Sequence, residues 1–143
     1  MEKNKFLSLI ANISETAKND NWQAQYDSDL DCFYWTKIKI SKNSTLKQFL
    51  DDFSLYINNK GAIEGLVIEY AKYNFLGHHK EFEPLFGAMT EKIDNAVYIV
   101  PKNKEDKIQH YLENIADKVA KETLDAISSN KLSKNSLLAA ARG

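Results

Sequence analysis

Ile63-Glu64-Gly65-Leu66-Val67-Ile68-Glu69-Tyr70 is the stretch on which the fold turns. Its centre, Leu66-Val67-Ile68, is apolar without alternation, the pattern of a strand covered on both faces. Upstream, Thr45-x-x-Gln48 reads as a capping box. It precedes Leu46, Phe49, Leu50, Phe53 and Ile57, which lie on one face of a helix. Asn58-Asn59-Lys60-Gly61 ends that helix, with Gly61 suited to a left-handed cap. Downstream comes a loop, Lys72–Lys80. A further helix then carries Phe82, Leu85, Phe86, Met89 and Ile93, with Pro84 in its first turn. A buried strand with a helix on either side predicts parallel units joined by right-handed crossovers.

The remaining elements extend this order outward. Phe6, Leu9, Ile10, Ile13 and Ala17 define a helix over about residues 3–18, stopped by Asn19-Asp20-Asn21. Trp22, Ala24 and Tyr26 alternate with Gln23 and Gln25. After the turn Asp27-Ser28-Asp29, the aromatic run Cys32–Ile40 completes an antiparallel hairpin. Ala96–Val100 is a short buried strand closed by Pro101. A long helix, Lys104–Ser128, follows with Ile108, Leu112, Ile115 and Val119 as its inner stripe. The expected fold is α/β, on the border of α+β. Its order is α-β-β-α-β-α-β-α around a mixed sheet of about four strands. Residues 1–128 read as one globular domain, and 129–143 as a weakly patterned tail or short helix.

Composition narrows the function. The chain has 143 residues with 19 basic and 20 acidic side chains, a net charge of −1, which excludes a strongly basic nucleic-acid binder. Eighteen of the basic residues are lysine and only Arg142 is arginine, a poor endowment for bidentate phosphate recognition. A single cysteine excludes an internal disulfide framework. No apolar run approaches the ~18–20 residues that span a bilayer. The start Met1-Glu2-Lys3-Asn4-Lys5-Phe6 shows no secretory signal, so a cytoplasmic setting is expected.

From Trp22 to about Lys121, this order of elements and hydrophobic spacing resembles the STAS domains and the related SpoIIAA-like proteins. The resemblance implies that Ala62–Tyr70 is the central strand, Asn74–His79 its following loop and Glu81–Ile93 the next helix. Regulatory members of that family are phosphorylated on a serine in this loop. Lys72-Tyr73-Asn74-Phe75-Leu76-Gly77-His78-His79-Lys80 holds no serine or threonine, so that switch has no acceptor here. A shorter resemblance, over Phe33–Lys37, Thr45–Phe53 and Met89-Thr90-Glu91, is to the C-terminal ubiquitin-fold domain of ubiquitin-activating enzymes, which recruits conjugating enzymes.

No phosphate loop, nucleophile elbow, C-x-x-C pair or H-E-x-x-H motif is present. Cys32, beside Phe33 in a predicted strand, reads as a packed residue and not a nucleophile. His79 and Glu83, four residues apart, are the weak metal candidates, with His110 a third ligand only through space. A neutral His78 or His79 in an apolar pocket could also ligate a haem iron.

The expectation is therefore a non-catalytic binding module without a cofactor, engaging a protein partner or a second copy of itself. The alternative is a pocket for a small apolar ligand, a lipid or haem, and the third reading is a small enzyme. No nucleic acid or membrane span is expected. Ligands of open α/β sheets gather beyond the carboxyl ends of parallel strands, so the binding residues are placed at Tyr73, Phe75, Gly77, His78 and His79.

Overall fold

The computed structural model describes residues 3–48 and 50–128. The tail 129–143 and Phe49 lie outside them. The amino-terminal helix is divided at Asn12 into α1 (Lys3–Ala11) and α2 (Ile13–Asn19). At the division the Asn12 N–H is shared between the Ser8 carbonyl at 3.1 Å and the Leu9 carbonyl at 3.2 Å, and Asn12 Nδ2 also donates to the Ser8 carbonyl at 2.8 Å. α2 stops where expected. Asn21 takes a left-handed φ of 54°, and the Trp22 N–H reaches back to the Ala17 carbonyl at 2.9 Å.

Five strands follow without an intervening helix: β1 (Gln23–Asp27), β2 (Cys32–Thr36), β3 (Thr45–Gln48), β4 (Ser54–Ile57) and β5 (Ile63–Glu69). A π-helical turn, Ala71–Phe75, runs into the single turn α3 (Leu76–His78). A 3-10 turn, Lys80–Phe82, then leads to α4 (Glu83–Gly87). Next come β6 (Glu91–Lys92), β7 (Val97–Ile99) and the long α5 (Glu105–Ser128). The sheet has seven strands in the order β3-β4-β5-β2-β1-β7-β6, and every pairing is antiparallel.

The α/β class stands, and two parts of the expected architecture are corrected. The sheet has seven strands and not about four, and it holds no parallel pair. The segment expected as a helix over Thr45–Ile57 is the β3–β4 hairpin, with register Thr45↔Ile57 to Gln48↔Ser54. Phe53, Leu55 and Ile57 are buried at alternate positions, so period 2 outweighs the helical spacing, and the chain reverses around Asp51-Asp52. Gly61 is left-handed, at φ 83°, but it closes the β4–β5 turn and not a helix. The strand–helix alternation behind the STAS resemblance is thus absent between Trp22 and Glu69.

All helices pack on one face of the sheet. Phe6, Ile10 and Ile13 from α1 and α2, together with Ile108, Leu112, Ile115 and Val119 from α5, share one buried cluster with Phe33, Trp35, Leu55, Leu66 and Ile68. Burying each such side chain contributes about 1.5–3 kcal/mol. Val67 is buried too, but in a row with Ser54 and Tyr34 on the helix-free face. The unalternating run Leu66-Val67-Ile68 therefore reflects a central position in the sheet and not helices on both sides. The helix predicted to reach Ile93 ends at Gly87. Phe82, Leu85, Phe86 and Met89 are buried as expected, while Ile93 is exposed.

One irregularity shapes the far end of β5. The register shifts between Tyr56↔Gly65 and Ile57↔Ile63, leaving Glu64 as the extra residue of a bulge. Its buried carboxylate anchors the Lys37–Ser44 loop. It accepts from the Ser41 N–H at 2.9 Å, from the Ser41 and Ser44 hydroxyls at 2.7 Å each, and from Lys37 Nζ at 3.3 Å.

Candidate functional site

Asp31, at the end of the β1–β2 turn, binds two distant segments into one corner. Its backbone is left-handed, at φ 52°, and its carbonyl accepts the Ala71 N–H at 2.9 Å. Its carboxylate accepts the N–H groups of Lys72 at 2.9 Å and Tyr73 at 3.0 Å, capping the turn that follows β5. The Tyr26 hydroxyl donates to the same carboxylate at 2.5 Å. Burial raises the pKa of the Asp31 carboxyl, but these donors outweigh it and hold the group below its ordinary range. Burial, with Asp31 beside it, pushes the Tyr26 phenol far up, so the pair stays phenol and carboxylate. Lys72 Nζ lies 4.6 Å from the centre of the Tyr26 ring.

This clamp presents an apolar surface. Leu30, next to Asp31, is 61% exposed, and Tyr70 and Tyr73, on either side of the capped turn, are 62% and 86% exposed. Tyr70 is itself left-handed, at φ 51°, a conformation that a bulky residue adopts only when its surroundings impose it. The left-handed backbone of Tyr70 and the Asp31 hydrogen bonds thus hold in place a turn that carries two large aromatic side chains into water.

The expected site residues separate into two groups. Tyr73, Gly77 and His78 are exposed. Phe75 is not a surface residue. It is fully buried, with ring centroids 5.7 Å from Phe53, 5.6 Å from Phe82 and 4.6 Å from His79. One helical turn puts residues 73 and 75 on different sides, and Phe75 takes the inward one. The premise that placed a ligand beyond parallel strands fails with the parallel sheet. Tyr70 and Leu30, the exposed neighbours of the Asp31 turn, were not among the expected residues. The available signal was an apolar residue set among Asp27, Asp29 and Asp31 in a turn.

The metal candidates do not converge. His79 faces Asp52 at 3.7 Å and Glu81 at 3.8 Å, Glu83 is exposed on α4, and His110 stacks on Tyr111. Among the described residues, no group of three or more His, Cys, Asp or Glu side chains could hold a metal ion. Cavities of about 420, 410 and 390 Å³ are lined by none of Tyr73, Phe75, Gly77, His78 and His79. Burial pushes the Cys32 thiol up, and the carboxylates of Glu69, Asp27 and Asp31 push it further against the Tyr34 hydrogen bond, the reverse of an activated nucleophile. No helix among the described residues is long and apolar enough to cross a membrane. No family model, curated protein or solved structure matches the chain.

Proposed function

We propose that the protein is a non-catalytic binding module whose contact surface is the corner formed by Leu30, Tyr70 and Tyr73. The observation that supports this most is the Asp31 clamp. Tyrosine gives large contact area for little side-chain entropy, and a backbone already fixed in shape lowers the ordering cost of association. Both properties suit a protein partner. A phosphorylation switch of the STAS type plays no part in this role.

A Leu30→Ser/Tyr73→Ser double variant tests it, because both side chains point into water and the fold does not need them. Proteins retained by the immobilised wild type are identified, and their affinities for the two forms are then compared. The expected outcome is a loss of roughly tenfold or more in the variant, with an unchanged melting temperature. Equal affinity in a folded double variant contradicts the assignment. Sedimentation of the wild type separates a foreign partner from a second copy, which would appear at about 33 kDa, twice 16.4 kDa.

A further inference from the structure

A cleft of about 420 Å³ lies between the start of β1, the end of β7 and the first turns of α5, remote from the Asp31 corner. Its floor is apolar, built from Trp22, Ile99, Ile108 and Leu112. Trp22 also walls a neighbouring cavity of about 390 Å³, where it meets Trp35 edge to face at 5.5 Å. The Trp22 residue is only 8% exposed, and its indole Nε1 is buried with no hydrogen-bond partner among the described residues. Leaving such a donor unmet costs about 1–3 kcal/mol.

The polar lining has a distinct chemistry. It consists of three carboxamides, Asn21, Gln23 and Gln109, with the opposed charges of Lys102 and Glu105 at the rim. Gln23 uses its oxygen to accept from Gln25 at 3.0 Å and keeps its N–H groups free. The carboxamides of Asn21 and Gln109 make no hydrogen bond to another described residue. A carboxamide carries a donor and an acceptor side by side and no charge, so it matches another amide-like edge in two paired bonds. The left-handed backbone of Asn21, at φ 54°, sets its position at the mouth.

We infer that this cleft is a binding site for a small neutral molecule with an apolar ring and an amide or lactam edge. The ring lies over the apolar floor, against the Trp22 side chain, and the carboxamides read the edge. The cancelling charges at the rim favour neither an anion nor a cation.

Nuclear magnetic resonance of the full chain tests the site, with nicotinamide and uracil as probes and benzoate as an anionic control. The neutral probes should shift the Trp22 indole N–H and the side-chain NH2 signals of Asn21 and Gln109. Gln109→Leu and Asn21→Gly should each weaken the effect roughly fivefold to tenfold. Both positions are exposed, and glycine keeps the left-handed backbone at residue 21, so both variants fold. Three outcomes overturn the inference: an unmoved Trp22 N–H at the solubility limit of the probes, shifts that survive in the Asn21→Gly/Gln109→Leu double variant, or benzoate acting as strongly as the neutral rings.

Discussion

Thr36 of β2 fills the space that a side chain on Gly65 of β5, directly opposite, would need. A Cβ at residue 65 would stand 2.7 Å from the Thr36 Cβ and 3.1 Å from its Cα. The pair lies at the centre of the sheet, where neither strand can withdraw. Gly65→Ala should therefore destabilise the protein by about 1–3 kcal/mol. Urea denaturation measures this, and an unchanged midpoint would mean that β2 and β5 pair in another register.

Glu64 makes stability depend on acid. Burial raises its pKa, but hydrogen bonds from Ser41, Ser44 and Lys37 outweigh this and bring the carboxyl from 4.5 down to about 2. The folded value lies below the unfolded one. The contribution is therefore complete above about pH 4.5 and is lost as the pH falls towards 2. The shift corresponds to about 3 kcal/mol. Glu64→Gln should be less stable than the wild type at pH 7, and the gap should close between pH 4.5 and 2. A gap that does not vary with pH would remove Glu64 as its source.

Asp31→Gly separates the clamp from the backbone that carries it, because glycine accepts the left-handed φ of 52° without strain. Removing the carboxylate leaves the Lys72 and Tyr73 N–H groups and the Tyr26 hydroxyl without their acceptor. Amide exchange at residues 72 and 73 should accelerate, with a stability loss of about 1–3 kcal/mol. Unaltered exchange at both amides would show that the turn is held by something other than Asp31.

Phe75 and Tyr73 give opposite results although two residues apart. Phe75→Ala empties a fully buried site between Phe53 and Phe82 and should cost about 3–5 kcal/mol. Tyr73→Ala, at an exposed position, should stay within about 0.5 kcal/mol of the wild type. Similar losses in the two variants would contradict the burial difference.

The strands built on aromatic and β-branched runs were legible: Cys32–Thr36, Ile63–Glu69 and Val97–Ile99 lie within expected strands, and β1, Gln23–Asp27, is displaced by one residue from the expected Trp22–Tyr26. The inner stripe of α5 was equally plain, because a long helix repeats its period many times. Thr45–Ile57 misled because Phe53 and Ile57, four apart, satisfy period 3.6 and period 2 alike. Only the polar pair Asp51-Asp52 distinguishes a turn there. Strand direction was inferred from helices lying between strands, but β3–β4 replaces one such helix, and β5 and β7 run antiparallel although α4 lies between them. The exposure of Tyr73 could be read because it lies just past a strand. Leu30 and Tyr70 could not, since one carboxylate at Asp31 joins segments some 40 residues apart, as the Asp31–Lys72 bond shows. Such a contact leaves no periodic trace in either segment.

The packing of α1 and α2 against α5 has a consequence for biosynthesis. α1 and α2 are translated before every strand and α5 after every strand, so Phe6, Ile10 and Ile13 lack the α5 side of their packing while the whole sheet is being translated. Native packing of α1 and α2 is complete only once residues 105–128 have been added. Until then the nascent chain presents a greasy helical stripe of the kind that holding chaperones bind. A stalled or shortened transcript ending before Glu105 would yield a chain with its sheet residues in place and half its core open to water.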